Sequence, residues 1–251
     1  MLHLNYRLDG PDSAPVLVLS NSIAATLSMW EPQMEALSRS YRVLRYDTRG
    51  HGQSDVPEGA YSIDDLGGDV IGLLDMLGIG RVHFCGLSLG GMTGMWLAQN
   101  HPQRLDKLVL SNCVPHIGNP DIWNPRIAAV LQDGMQQAGA TQASRWFKPD
   151  FQAEYPQRYR ELEQEAMDTP AKGYAGCCAV LRDADLSRRL DDIASPTLVI
   201  GGAHDLPTPP AKVKDLAQRI PGAKYVEVDG GHLANVDASQ AYTAAVLEFL
   251  G

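Results

Sequence analysis

Gly86-Leu87-Ser88-Leu89-Gly90 follows a short β-like run, Val82-His83-Phe84-Cys85, and opens a helix-like one, Met92 to Gln99. A strand, then Gly-x-Ser-x-Gly, then a helix is the context of a nucleophile elbow. The serine must sit on a sharp, strained turn so that its hydroxyl stands clear of the sheet. Crowding at such a turn leaves no space for side chains, and Gly86 and Gly90 supply none. A helix starting just after Ser88 aims free N–H groups and a positive dipole end at the site, which suits an anionic intermediate.

Working outward, the chain alternates strand and helix signals. Val16-Leu17-Val18-Leu19, between Pro15 and polar Ser20-Asn21-Ser22, reads as a buried strand. Arg42 to Tyr46 reads as a second, ending at the glycine-rich turn Asp47-Thr48-Arg49-Gly50-His51-Gly52. Ser62 to Leu77 has helical spacing, with Ser62 as N-cap and Gly78 as stop. Further strands are expected at Lys107–Ser111, Pro196–Ile200 and Lys224–Val228, and a closing helix over 238–250. From 119 to about 192 strand signals vanish and apolar residues recur at helical intervals, as in Ile127, Val130 and Met135. The expectation is an α/β fold: a mostly parallel central sheet with helices on both faces. Residues 1–118 and 193–251 would form its core, and 119–192 a helical lid insertion.

A serine hydroxyl needs a base to take its proton and an acid to hold that base in the right tautomer. On this architecture they follow in the order serine, acid, histidine, on loops at the carboxyl ends of strands. Asp205, in Gly201-Gly202-Ala203-His204-Asp205, directly follows one expected strand. His232, in Asp229-Gly230-Gly231-His232, directly follows the last. Of the seven histidines, His3, His83, His101 and His116 precede or surround the elbow, and His204 adjoins the acid itself. His51 sits in the glycine-rich turn, where ordering the loop is its expected task. The position after Ser111 holds Asn112 and Cys113, neither of them acidic.

An oxyanion needs two N–H donors. The backbone of Leu89 supplies one. The second is assigned to Ile23, in the loop Ser20-Asn21-Ser22-Ile23 after the first buried strand, with Asn21 or Ser22 orienting it.

Composition narrows the partners. The 251 residues suit one large α/β domain with an insertion, and 44% hydrophobic with 20% charged content suits a globular chain. A net charge of −9 argues against nucleic acid or an anionic membrane as partner. Four cysteines, Cys85, Cys113, Cys177 and Cys178, match neither a metal cluster nor a disulfide framework. The amino-terminal residues show no signal peptide, and no apolar run is long enough to span a bilayer, so a cytoplasmic location is expected.

With these residues placed, the whole chain resembles the α/β-hydrolase superfamily, and within it the 3-oxoadipate enol-lactonases of bacterial aromatic catabolism. The narrower resemblance rests on Leu19-Ser20-Asn21-Ser22, Met29-Trp30, Arg45-Tyr46-Asp47-Thr48-Arg49-Gly50-His51-Gly52 and Phe84-Cys85-Gly86-Leu87-Ser88. Arg145-Trp146-Phe147 and Gly173-Tyr174-Ala175-Gly176-Cys177-Cys178 continue it. The resemblance implies that water opens an enol-lactone through an acyl-enzyme, with Ser88, Asp205 and His232 as triad and no metal or organic cofactor. It also implies a substrate carboxylate, which an acidic protein must meet with a local cation. Arg145 is the first candidate, Lys148 a weaker one, and Trp146 and Ser22 are further candidate substrate contacts. The same triad would serve a general carboxylesterase or a cofactor-free perhydrolase, whereas a non-catalytic binding protein of this fold could dispense with it.

Overall fold

The computed structural model describes residues 2–251. Seven strands form one sheet: β1 (Tyr6–Asp9), β2 (Val16–Ser20), β3 (Arg42–Tyr46), β4 (Val82–Leu87), β5 (Leu105–Ser111), β6 (Thr197–Gly202) and β7 (Lys224–Val228). Their spatial order is β1-β3-β2-β4-β5-β6-β7. Only β1, at one edge, runs antiparallel to its neighbour; the other pairings are parallel. Successive strand residues point to opposite faces. Every residue of β6 and the last four of β4 are buried, so both faces of the central sheet are covered.

The covering helices come from the crossovers: α1 (Glu31–Leu37), α2 (Ile63–Met76) and α3 (Leu89–Asn100). Ser62 caps α2 in a capping box with Asp65, and Gly78, at φ +66°, follows it. β1 has no counterpart among the sequence expectations. It is a four-residue edge strand without a buried face, and periodicity has nothing to detect there.

Between β5 and β6 the described residues contain no strand. They form α4 (Pro120–Asp133), α5 (Gln136–Ala143), α6 (Phe151–Glu154), α7 (Pro156–Asp168) and α8 (Ala171–Asp183). Phe147, Phe151, Tyr155 and Tyr159 carry a run of packed rings through this stretch, joined by the buried Trp146. Close approaches bind it to the rest of the fold. A Cβ on Gly173 would lie 2.0 Å from the Gly50 carbonyl oxygen. Glu165 of α7 accepts hydrogen bonds from the Thr26 and Ser28 hydroxyls at 2.7 and 2.6 Å. The chain then completes the sheet with β6 and β7, joined by α9 (Pro210–Arg219), and ends in α10 (Ala234–Asp237) and α11 (Ser239–Leu250). No helix among the described residues is long and apolar enough to cross a membrane.

Candidate active site

Ser88 stands between β4 and α3 with φ +57° and ψ −114°, a backbone conformation that a non-glycine residue adopts only under constraint. The turn is tight on both sides. A Cβ on Gly86 would lie 2.1 Å from the Gly90 carbonyl oxygen, and one on Gly90 would lie 2.2 Å from that of Ser20. The Ser88 N–H donates to the Ser111 carbonyl at 2.9 Å, and the Gly90 N–H to that of Asn21 at 2.9 Å. Neighbouring strands thereby hold the turn in place.

Asp205 follows β6 and His232 follows β7, both at the carboxyl end of the sheet and both buried. His232 Nδ1 lies 3.0 Å from Asp205 Oδ2 and 3.1 Å from Oδ1. A carboxylate accepts, so Nδ1 carries the proton of the neutral ring and Nε2 carries its lone pair. Burial alone would push the Asp205 carboxyl up. His232, with the hydroxyl and N–H of Thr208, outweighs it and holds the group below the usual carboxylate range. Thr208 donates its hydroxyl to Oδ2 at 2.7 Å and its N–H to Oδ1 at 2.9 Å.

Asn112 is a member of this arrangement that sequence reasoning set aside for lacking acidity. At φ +47°, it directs its Nδ2 to Asp205 Oδ2 at 2.8 Å and to the Gly231 carbonyl at 3.1 Å. Its position at the carboxyl end of β5 was the available signal, one strand away from the acid.

Ser88 and His232 line one cavity of about 380 Å³, with Ile23, Trp123 and Thr208 among the other walls. The Leu89 and Ile23 N–H groups have no partner among the described residues, and Ile23 lines the same cavity as Ser88. The loop carrying Ile23 is held from both ends. Asn21 donates Nδ2 to the Tyr46 carbonyl at 2.8 Å and accepts the Trp30 indole N–H at 2.9 Å. Ala24, at φ +62°, donates its N–H to His51 Nε2 at 2.9 Å. Ser22 is buried and its hydroxyl has no partner among the described residues; it does not line the cavity.

Three cations line the cavity, Arg126, Arg145 and Lys212, and no carboxylate does. Arg126 of α4 is half-buried, its guanidinium 5.4 Å from the centre of the Trp123 ring three residues earlier. Arg145 is exposed at the rim. Lys148 is not a wall of the cavity and stands 3.8 Å from Asp229. The Trp146 ring is closed into the aromatic packing of the helical stretch and is not a wall either. Its place fits packing rather than substrate contact. The i, i+3 pair Trp123 and Arg126 on one helix face was the signal that sequence reading passed over.

The four cysteines are free and buried, and burial pushes the Cys85 thiol up to about 12. Among the described residues, no group of three or more His, Cys, Asp or Glu side chains is placed to hold a metal ion.

A family model described as alpha/beta hydrolase fold matches residues 15–239. The chain is 40% identical over 243 residues to 3-oxoadipate enol-lactonase 2 of Acinetobacter baylyi, covering 97% of this chain and 91% of that one. It superposes on the crystal structure of the enol-lactonase from Burkholderia xenovorans with a TM-score of 0.97 and 44% identity, covering 99% and 96% of the two chains. A Caulobacter segnis protein that carries the name of a carbamate hydrolase is 31% identical over 244 residues, 94% of this chain and 91% of its own.

Proposed function

The chain belongs to the alpha/beta hydrolase fold family, and on that premise we propose that it is a serine hydrolase opening a small carboxylated enol-lactone, 3-oxoadipate enol-lactone, to 3-oxoadipate. One observation carries the reading: Ser88 and His232 share a cavity lined by three cations and no carboxylate, in a protein of net charge −9. A neutral ester gains nothing from such a wall, whereas a substrate carboxylate entering the cavity exchanges its water for charge-assisted hydrogen bonds. The similarity to the two enol-lactonases supports the same substrate class.

In the proposed reaction the Ser88 hydroxyl attacks the lactone carbonyl while His232 Nε2 accepts its proton. Asp205 keeps the imidazole in the tautomer that can do so and stabilises the imidazolium. The oxyanion forms against the Leu89 N–H, at the amino-terminal end of α3, and the Ile23 N–H of the loop after β2. Collapse expels the enol oxygen, which leaves more readily than an alkoxide and takes the proton from His232; the enol so released tautomerises, its hydroxyl proton replaced by one on the neighbouring carbon, to the ketone of 3-oxoadipate. The product remains joined to Ser88 as an ester. His232 then takes a proton from water, whose oxygen attacks that ester; collapse returns the proton to Ser88 and frees a second carboxylate. No step calls for a metal or an organic cofactor. Residues 119–192 act as a lid, contributing Arg126 and Arg145 to the substrate's surroundings.

The test follows loss of enol-lactone absorbance on adding purified protein, beside Ser88→Ala. The expected loss in the variant is at least about 10³-fold. Faster turnover of neutral aryl esters than of the lactone would favour a general esterase, and peracid formation a perhydrolase. No adduct with a serine-directed phosphonate would favour a binding protein.

A further inference from the structure

His232 is held by more than Asp205. Asp237 Oδ2 accepts the Gly231 N–H at 2.8 Å and the Lys148 N–H at 2.7 Å. On the other side of the histidine, the Leu233 N–H donates to the Trp146 carbonyl at 2.8 Å. The backbone before and after His232 is therefore tied to residues 146–148, which belong to the helical stretch between β5 and β6. The two segments are in close contact: a Cβ on Gly231 would lie 2.6 Å from the Trp146 carbonyl oxygen and from the Phe147 carbonyl carbon. Arg145, the next residue back, lines the same cavity as Ser88 and His232.

We infer that Asp237 is a positioning residue for His232: one carboxylate oxygen staples the backbone at Gly231 to Lys148 and so fixes where the imidazole stands relative to Ser88. This rests on the reading of Ser88 and His232 as nucleophile and base. Asp205 sets the tautomer and the tilt of the ring, and Asn112 Nδ2 holds the Gly231 carbonyl; the Gly231 N–H is left to Asp237, whose bond ties this loop to Lys148. A displacement of about 1 Å between reacting groups costs on the order of 100-fold in rate. The staple needs an acceptor oxygen at the place of Oδ2 and no charge. The other oxygen, Oδ1, is buried without a partner among the described residues. Burial pushes this carboxyl up, against the pull of the two N–H bonds. An amide whose carbonyl oxygen takes the place of Oδ2 can accept both N–H groups.

The test uses the full purified chain, with functional sites counted by phosphonate labelling and kcat expressed per labelled site on the enol-lactone. Asp237→Ala is expected to lose about 10- to 100-fold in kcat per site, with KM changed less than about threefold. Asp237→Asn is expected to stay within about threefold of the parent in kcat, because it restores the acceptor. Lys148→Pro removes one of the two N–H donors and leaves Asp237 in place; it is expected to repeat the kcat loss and decides the matter if Asp237→Ala does not fold. An unchanged kcat per site in Asp237→Ala or Lys148→Pro, with only a lower Tm, overturns the inference. So does Asp237→Asn as impaired as Asp237→Ala. Full activity in Ser88→Ala would instead refute the functional reading itself, a result separate from any outcome at Asp237.

Discussion

His51 Nε2 accepts the Ala24 N–H at 2.9 Å, joining the turn after β3 to the loop after β2. His51 Nδ1 lies 3.2 Å from the Arg49 carbonyl, so the ring proton sits there and Nε2 is free to accept. Only a neutral imidazole can make both bonds. Burial lowers the His51 pKa from its ordinary 6.5, against the Arg49 carbonyl and the Asp47 carboxylate. A group whose folded pKa is depressed contributes stability above its unfolded pKa and loses it as pH falls towards the folded one. The urea midpoint is therefore expected to decline as pH drops below about 6.5, and His51→Phe to flatten that decline while lowering stability at pH 8. The same variant frees the residue next to Ile23, so its kcat is expected to fall by about 10-fold. Parallel pH dependences in both proteins would remove His51 from this role.

Asn112 braces the acid, and its backbone complicates the test. Its amide reaches Asp205 Oδ2, while its φ of +47° suits asparagine or glycine better than alanine. Asn112→Ala combines loss of the amide with backbone strain of about 1–2 kcal/mol, whereas Asn112→Gly loses the amide without that strain and adds about 0.4–1 kcal/mol of unfolded-chain entropy. Both are expected to lower kcat on the order of 10-fold, with the glycine variant melting at the higher temperature. Equal kcat to the parent in Asn112→Gly would show that the amide does not steady Asp205.

The sequence made the parallel core legible because β2, β4, β5 and β6 are apolar runs closed by polar or glycine-rich loops. It made the placement of Ser88, Asp205 and His232 legible, since each directly follows a strand at the carboxyl end of the sheet; their roles remain those proposed above, in the order this architecture sets. What it hid depends on contacts between loops distant in sequence. The His51 bond to Ala24 spans 27 residues, the Asn112 bond to Asp205 spans 93, and the Asp237 bond to Lys148 spans 89. None of these pairs leaves a periodic trace. Arg126 escaped notice for another reason: a cation on an amphipathic helix looks like any solvated one until the cavity beneath it is seen.

Glycine at the elbow serves packing, and two substitutions separate this from helix propensity. Gly90→Ala would set a methyl 2.2 Å from the Ser20 carbonyl oxygen, backbone that cannot yield. The expected cost is about 3 kcal/mol or more, with loss of phosphonate labelling as Ser88 shifts. Gly68 lies on the exposed side of α2 with nothing within 4 Å of its added Cβ. Gly68→Ala is expected to raise stability by about 0.5–1 kcal/mol at unchanged activity. Thermal melts of the pair check both signs, and a stable, fully active Gly90→Ala would contradict the close approach at the turn.

The two arginines of the cavity differ in a way that ranks them. Arg126 is half-buried and stacked on Trp123, so its side chain is already ordered and shielded from salt; Arg145 is exposed and pays to become ordered. A charge-assisted hydrogen bond to a substrate carboxylate contributes about 1.5–3 kcal/mol, or roughly 10- to 150-fold in kcat/KM. Replacing either arginine with methionine is expected to reduce kcat/KM on the carboxylated lactone within that range and to leave a neutral aryl ester within about threefold. Arg126→Met should cost more than Arg145→Met, and added salt should narrow the gap between the Arg145 variant and the parent more than for Arg126. If either variant loses equally on the charged and the neutral substrate, that arginine shapes the cavity rather than meeting the carboxylate.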